Sequence, residues 1–280
     1  MSAIVVAVDF SNTSIHAIEY SITLANKLKA DIILVWVDKI SPTESLYPDT
    51  SADNRNEAKK RFDEIVSTYS RRMGKNLKME FKLRKGKIYH EVDILAKNAG
   101  AAFIITGSHG ISGFEEYWIG SNAFKIVTYA TCPVITVRHD FPVGKPISRI
   151  LVPIDSSPET IQKLPVVVRL ARLFKSEVHV VGTHSSHLSS IRRLAEKYVQ
   201  QATSYFYSHE IRCVEDHIIS ADITKAVLKY AEDVGVGLTA IMTEQETPAN
   251  ILLGPRAQQL INQSLAPVLS IHPQENFCLK

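Results

Sequence analysis

Ala102-Phe-Ile-Ile-Thr-Gly-Ser-His-Gly110 runs a short apolar stretch into two glycines, Gly107 and Gly110, and nine residues further on the chain reads Gly120-Ser121-Asn122. An apolar run closed by glycine reads as a buried strand that ends in a turn. Phe124, Val127 and Ala130 then recur at helical spacing, so Gly120-Ser121-Asn122 is expected to open a helix with a hydroxyl cap. Strand, glycine turn and helix N-terminus are the parts of an anion site. Glycine permits positive φ and close approach, main-chain N–H groups converge on the anion, and the helix dipole points at it. The stretch predicts a phosphate site and, with it, a nucleotide.

The rest of the chain contains the same unit twice. Ile4-Val-Val-Ala-Val-Asp-Phe-Ser11 returns as Ile150-Leu-Val-Pro-Ile-Asp-Ser-Ser157, and Cys132-Pro-Val-Ile-Thr-Val137 returns as Ala266-Pro-Val-Leu-Ser-Ile271. The copies lie 146 residues apart at Ile4 and Ile150 but 134 apart at Val134 and Val268, so the second is 12 residues shorter. Ala30–Val37 still pairs with Ser176–Thr183 at 146, whereas Gly120 pairs with Gly254 at 134. The surplus therefore falls between Val37 and Gly120, and the polar stretch Ser41–Ser51 is its expected place, as a long loop after the second strand.

Each copy alternates strand and helix from strand to strand, which predicts an α/β fold of two tandem doubly wound, five-stranded parallel-sheet domains. Ile15, Ile18, Ile22 and Ala25 give the first helix one apolar face, matched by Ile161, Leu164, Val168 and Ala171 after the helix-start signal Ser157-Pro158-Glu159. The 280 residues divide into domains 1–140 and 146–280, joined by the short proline-bearing linker Asp140–Pro146, and the two copies are expected to pack together. Ligands of such sheets bind beyond the carboxyl ends of the strands, where Asp9, Val37 and Gly107 fall.

The spacing G-x2-G-x9-G-S, set between an apolar strand and the terminal strand 132–137, resembles the ATP-binding signature of universal stress proteins. The family also begins with a strand that ends in aspartate, as Ile4–Asp9 does here, and the resemblance covers nearly the whole chain. It implies a Rossmann-like, adenine nucleotide alpha hydrolase-like fold and a binding or signalling role in the stress response. ATP, with or without Mg, is the implied cofactor. Asp9 would lie near the ribose or adenine, and Val37 would offer its backbone to the adenine. Gly107, His109, Gly110, Gly120, Ser121 and Asn122 would surround the phosphates and ribose. The partners implied are an unidentified protein and the sister domain, as a pseudo-dimer within one chain that leaves room for a homodimer. On the residues alone, Asp9 equally suits a helix cap, Val37 suits the last buried residue of a strand, and His109 suits a solvated loop histidine.

The second copy reads Met242-Thr-Glu-Gln-Glu where the first reads Thr106-Gly-Ser-His-Gly, and Gly254-Pro255 replaces Gly120-Ser121. Its turn glycines are gone, Pro255 removes an N–H, and Glu244 and Glu246 would oppose a phosphate. Two like charges ~4 Å apart cost about 1 kcal/mol in water and more when partly buried. One nucleotide per chain, in the first domain, is the expectation. Glu115 and Glu116 in the first copy's spacer are departures from the pattern.

Other chemistries find less support. Gly144-Lys145-Pro146 is not a Walker A loop, and Asp9-Phe10-Ser11 contains none of the glycines of a dinucleotide fingerprint. A net charge of +3, with no basic stripe interleaved with aromatics, gives no sign of nucleic-acid binding. The absence of a long apolar stretch or an N-terminal leader pattern predicts a soluble, cytoplasmic protein with no membrane partner. Three unclustered cysteines do not make a disulfide framework. His184, His187 and His217 are candidate zinc ligands at the strand ends of the second domain, without a cysteine pair beside them. No nucleophile with an adjacent base stands out, so no catalytic residue is assigned. Slow ATP hydrolysis and a structural scaffold with an empty site are the alternatives to a nucleotide-binding stress protein.

Overall fold

A computed structural model describes residues 3–38, 49–108, 120–184, 189–243, 253–274 and 278–279. The chain forms two compact units, residues 1–139 and 140–280. In the first, the order is β1 (Ala3–Ala7), α1 (Asn12–Leu28), β2 (Asp31–Asp38), α2 (Asp49–Tyr69), β3 (Met79–Lys85), α3 (Ile88–Asn98), β4 (Ala101–Gly107), α4 (Ser121–Tyr129) and β5 (Val134–Val137). In the second it is β6 (Arg149–Ile154), α5 (Leu164–Phe174), β7 (Glu177–His184), α6 (Ser189–Ser208), β8 (Cys213–Ile219), α7 (Ile223–Val234), β9 (Leu238–Met242), α8 (Pro255–Gln263) and β10 (Val268–Ile271). The strand orders are β3-β2-β1-β4-β5 and β8-β7-β6-β9-β10, and every pairing within a unit is parallel. This is the expected doubly wound design in both copies.

The strand sequences explain the order. Ile4, Val5 and Val6 of β1 and Ile150, Leu151 and Val152 of β6 are completely buried, as central parallel strands covered on both faces must be. The outer strands Met79-Glu-Phe-Lys-Leu-Arg-Lys85 and Cys213-Val-Glu-Asp-His-Ile-Ile219 carry charges, the first partly and the second largely exposed, which suits an edge position. Order reverses between β1, followed on one side by β2 and β3, and β4, followed on the other by β5. That crevice is where an open α/β sheet places its ligand.

Register locates the 12-residue difference between the copies. Asp31 of β2 and Glu177 of β7 stand at equivalent places 146 residues apart, but Met79 of β3 and Cys213 of β8 stand 134 apart. The whole surplus lies between the second and third strands. The stretch expected to hold it, Ser41–Ser51, lies mostly outside the described residues. It accounts for only part of the surplus, because residues 70–78 between α2 and β3, with a 3-10 turn over Ser70–Arg72, are also longer than their counterpart 209–212.

Register also moves one alignment. Gly107 pairs with Val137 and Met242 with Ile271, so Met242 stands at the level of Gly107, one residue from the match made with Thr106 by sequence. The helix start read at Ser157-Pro158-Glu159 is a 3-10 turn over Pro158–Ile161, and α5 begins only at Leu164. On α1, by contrast, Ile18, Ile22 and Ala25 form the buried face that their spacing required.

Candidate functional site

In the first unit a cavity of about 500 Å³ opens at the carboxyl ends of β1, β2 and β4, against the N-terminus of α4. Asp9, Val37, Gly107, Gly120, Ser121 and Asn122 all line it. His109 and Gly110, with Glu115 and Glu116, lie outside the described residues. The volume is within the range of small-molecule sites, roughly 300–1,000 Å³.

Asp9 sits two residues past β1 and is oriented by its own loop. Its Oδ1 accepts hydrogen bonds from the Ser11 N–H at 3.0 Å and from Ser11 Oγ at 2.6 Å. Phe10 takes φ 64°, the left-handed region that costs an ordinary side chain of order 1 kcal/mol, and its ring packs 4.9 Å from that of Phe62. Ser11, not Asp9, caps α1, accepting the Ser14 N–H at 3.2 Å. The cap reading of Asp9 is therefore corrected: the carboxylate holds the capping serine, and it lines the cavity.

Gly107 lines the cavity and is also required by packing. It is the last residue of β4, has no positive φ, and a Cβ on it would lie 2.6 Å from Thr13 Cγ2. Its missing side chain lets the first turn of α1 approach the strand. Gly120, at φ −56°, is the N-cap of α4 and makes no side-chain cap, so the hydroxyl cap expected there is absent and Ser121 is the first helical residue. The Gly120 N–H donates to Ser108 O at 2.8 Å and the Ser108 N–H to Val137 O at 2.9 Å, which ties the helix start to the end of the sheet. The first turn of α4, Gly120 to Ala123, thus lines the cavity at the ends of β1 and β4.

Several lining residues were not singled out by sequence. Trp36 and Asp38 flank Val37 on β2, and Ile88 and Val92 of α3 add an apolar wall with Ile126 of α4. The apolar positions read as ordinary core from periodicity, and nothing short of the fold brings α3 to the ends of β1 and β2. Among the described lining residues are two carboxylates, Asp9 and Asp38, and no lysine or arginine.

The second unit holds a cavity of about 460 Å³ at the equivalent place, lined by Asp155, Lys163, Thr183, Met242, Thr243 and Arg256 among others. Asp155 repeats the Asp9 arrangement, its Oδ1 accepting from Ser157 N at 2.8 Å and Ser157 Oγ at 2.5 Å. Met242 fills the level that Gly107 leaves open, and Pro255 occupies the first turn of α8. Glu244 and Glu246 are outside the described residues.

The three candidate zinc ligands do not form a metal centre among the described residues, where no group of three His, Cys, Asp or Glu side chains is placed to hold an ion. His184 ends β7 and His217 lies on β8, while His187 is outside the described residues. His217 lies instead against Gly182, whose Cβ would come 2.6 Å from its Nδ1, and its Nε2 is 3.5 Å from Glu215. No helix among the described residues is long and apolar enough to cross a membrane.

Comparison with known proteins agrees with the architecture. The sequence model of the universal stress protein family matches residues 1–138 and again 146–272. Universal stress protein YxiE of Bacillus subtilis is 32% identical over 142 residues, which is 48% of this chain and 96% of that protein. Universal stress protein MJ0531 of Methanocaldococcus jannaschii is 26% identical over 137 residues, 48% of this chain and 81% of that one. A universal stress protein from Archaeoglobus fulgidus, known from its crystal structure, superposes with a TM-score of 0.75 over 96% of this chain and 98% of its own, at 19% identity, which shows a shared fold. With the family pattern matched in both halves and the fold repeated in both units, the chain belongs to the universal stress protein family as a tandem two-domain member.

Proposed function

We propose that the first unit binds an adenine nucleotide, ATP, and that the chain serves the stress response as a nucleotide-dependent binding module. One observation carries this reading: Asp9, Val37, Gly107, Gly120, Ser121 and Asn122, chosen from sequence, surround a single cavity at the strand-order reversal. The residues suit the ligand. Val8, Val35, Ile88 and Val92 offer apolar surface to a base, Asp9 offers an acceptor to ribose hydroxyls, and the N-terminus of α4 offers N–H groups and a positive dipole end to phosphate. With Asp9 and Asp38 the only charged side chains among the described lining residues, phosphate would be met by backbone, and Mg²⁺ bound with the nucleotide would offset the carboxylates.

Calorimetry of nucleotide-stripped protein with ATP tests the proposal, with saturation near one per chain expected. Ser121→Glu is the informative variant, because an acid in the first turn of α4 favours the helix while repelling phosphate. It should weaken ATP binding by about tenfold or more at unchanged thermal stability. Absence of binding by the wild type, or equal affinity in the variant, would sink the reading.

A further inference from the structure

The second unit has kept its cavity and changed its charge. Asp155 stands where Asp9 does, and Ile223 and Val227 stand where Ile88 and Val92 do. A constant separation of 146 residues runs from Asp9 and Asp155 to the left-handed helix caps Lys29 and Lys175, which places Lys163 at the position of Ala17. The N-caps Gly120 and Gly254, 134 apart, likewise place Arg256 at the position of Asn122. Among described lining residues the first cavity has two carboxylates and no base. The second has two carboxylates, Asp155 and Glu159, and two bases.

Lys163 is 2% exposed, yet among the described residues its Nζ makes a single hydrogen bond, to Thr160 Oγ1 at 3.2 Å. Thr160 Oγ1 also accepts the Asp155 N–H at 3.2 Å. Among the described residues no carboxylate oxygen comes within 4.0 Å of Lys163 Nζ. Asp155 commits Oδ1 to Ser157 and acts on the lysine only through space. Burial draws the Lys163 ammonium down to about 8, with Asp155 opposing that shift. A buried ammonium with one neutral partner is costly unless something else brings a counter-charge. Arg256, exposed in the first turn of α8 and lining the same cavity, supplies a fork of donors suited to an oxyanion.

We propose that the cavity of the second unit binds a small organic molecule through a carboxylate or phosphate group held by Lys163 and Arg256. The second carboxylate oxygen of Asp155 accepts from a hydroxyl or amino group of the same ligand. The site is independent of nucleotide binding in the first unit. It departs from the loss of function that the missing glycines suggested, since Lys163 and Arg256 belong to the starts of α5 and α8 and do not depend on those glycines.

Isoleucine δ-methyl NMR of the full chain separates the two sites, because Ile223 and Ile241 line the second cavity while Ile88 and Ile126 line the first. Sodium acetate and inorganic phosphate are titrated separately, without nucleotide. Saturable shifts of Ile223 and Ile241 are expected. A response to acetate alone assigns a carboxylate ligand, and a response to phosphate alone assigns a phosphate ligand. Lys163→Met should weaken the response by about tenfold or more, and Arg256→Asn, which restores the first unit's residue at an exposed position, by about fivefold. The remaining methyl signals report that each variant is folded. No saturable shift at Ile223 or Ile241 with either anion, or unchanged midpoints in both variants, overturns the proposal, whatever ATP does at Ile88 and Ile126.

Discussion

Gly107 and Thr13 are in contact so close that a single added carbon does not fit: a Cβ on the glycine would lie 2.6 Å from Thr13 Cγ2 and 3.1 Å from the Thr13 carbonyl carbon. The end of β4 and the first turn of α1 therefore depend on each other, and the cavity lies between those two elements and α4. In the second unit Met242 brings a side chain to the same level, and the chain there runs as the 3-10 turn Pro158–Ile161. A motif glycine here serves packing first.

Gly107→Ala should lower stability by about 1–3 kcal/mol through overpacking, read as a lower urea midpoint at unchanged slope. Thr13→Ser in that background removes the nearest atom and should recover part of the loss. An alanine variant as stable as the wild type would mean that α1 shifts without cost. Loss of ATP binding in any Gly107 variant has to be compared with this stability change.

The paired serines make a second comparison. Ser11 both caps α1 and donates to Asp9, whereas Ser157 donates to Asp155 but makes no side-chain cap. Ser11→Ala should cost about 1–2 kcal/mol, the worth of an N-cap with one further hydrogen bond, and Ser157→Ala about half that. Thermal unfolding of the two variants side by side checks the order, and a larger loss for Ser157→Ala would contradict it.

Lys163 carries a pH signature of its own. Burial pushes its ammonium down to about 8, below the ordinary lysine value of 10.5. Between these values the unfolded chain holds the extra proton, so this residue's penalty is complete below pH 8 and fades as pH rises towards 10.5. Lys163→Met should therefore stabilise the protein at pH 7 by up to about 3 kcal/mol, with the gain largely gone near pH 10. Urea midpoints at the two pH values measure it, and a constant difference between variant and wild type would show that the lysine does not change its charge on folding within this range.

The duplication, the strand and helix order and the parallel sheets were legible in the sequence because each rests on local pattern. Ile4–Val6 and Ile150–Val152 are unbroken apolar runs that only a central strand can use, and Ile18, Ile22 and Ala25 repeat at helical spacing. Asp9, Val37 and Gly107 were legible as strand-end residues for the same reason. Lys163 was within reach, since with Val167 and Leu170 it begins an i, i+4, i+7 row whose other members are buried, and its counterpart in the first copy is Ala17.

What the sequence determined by itself, then, is everything fixed by the period of a strand or a helix and by the repetition of that period in two copies. Only the tertiary structure decided which residues meet across elements. It decided that Gly107 makes room for Thr13, that Met242 and not Thr243 stands at the level of Gly107, and that Trp36, Asp38 and Ile88 share a cavity with Asp9. It also set a buried lysine and an exposed arginine on one cavity in the second unit. These contacts join residues far apart in the chain, and their distances are set by how closely helices and strands pack, which no local spacing records.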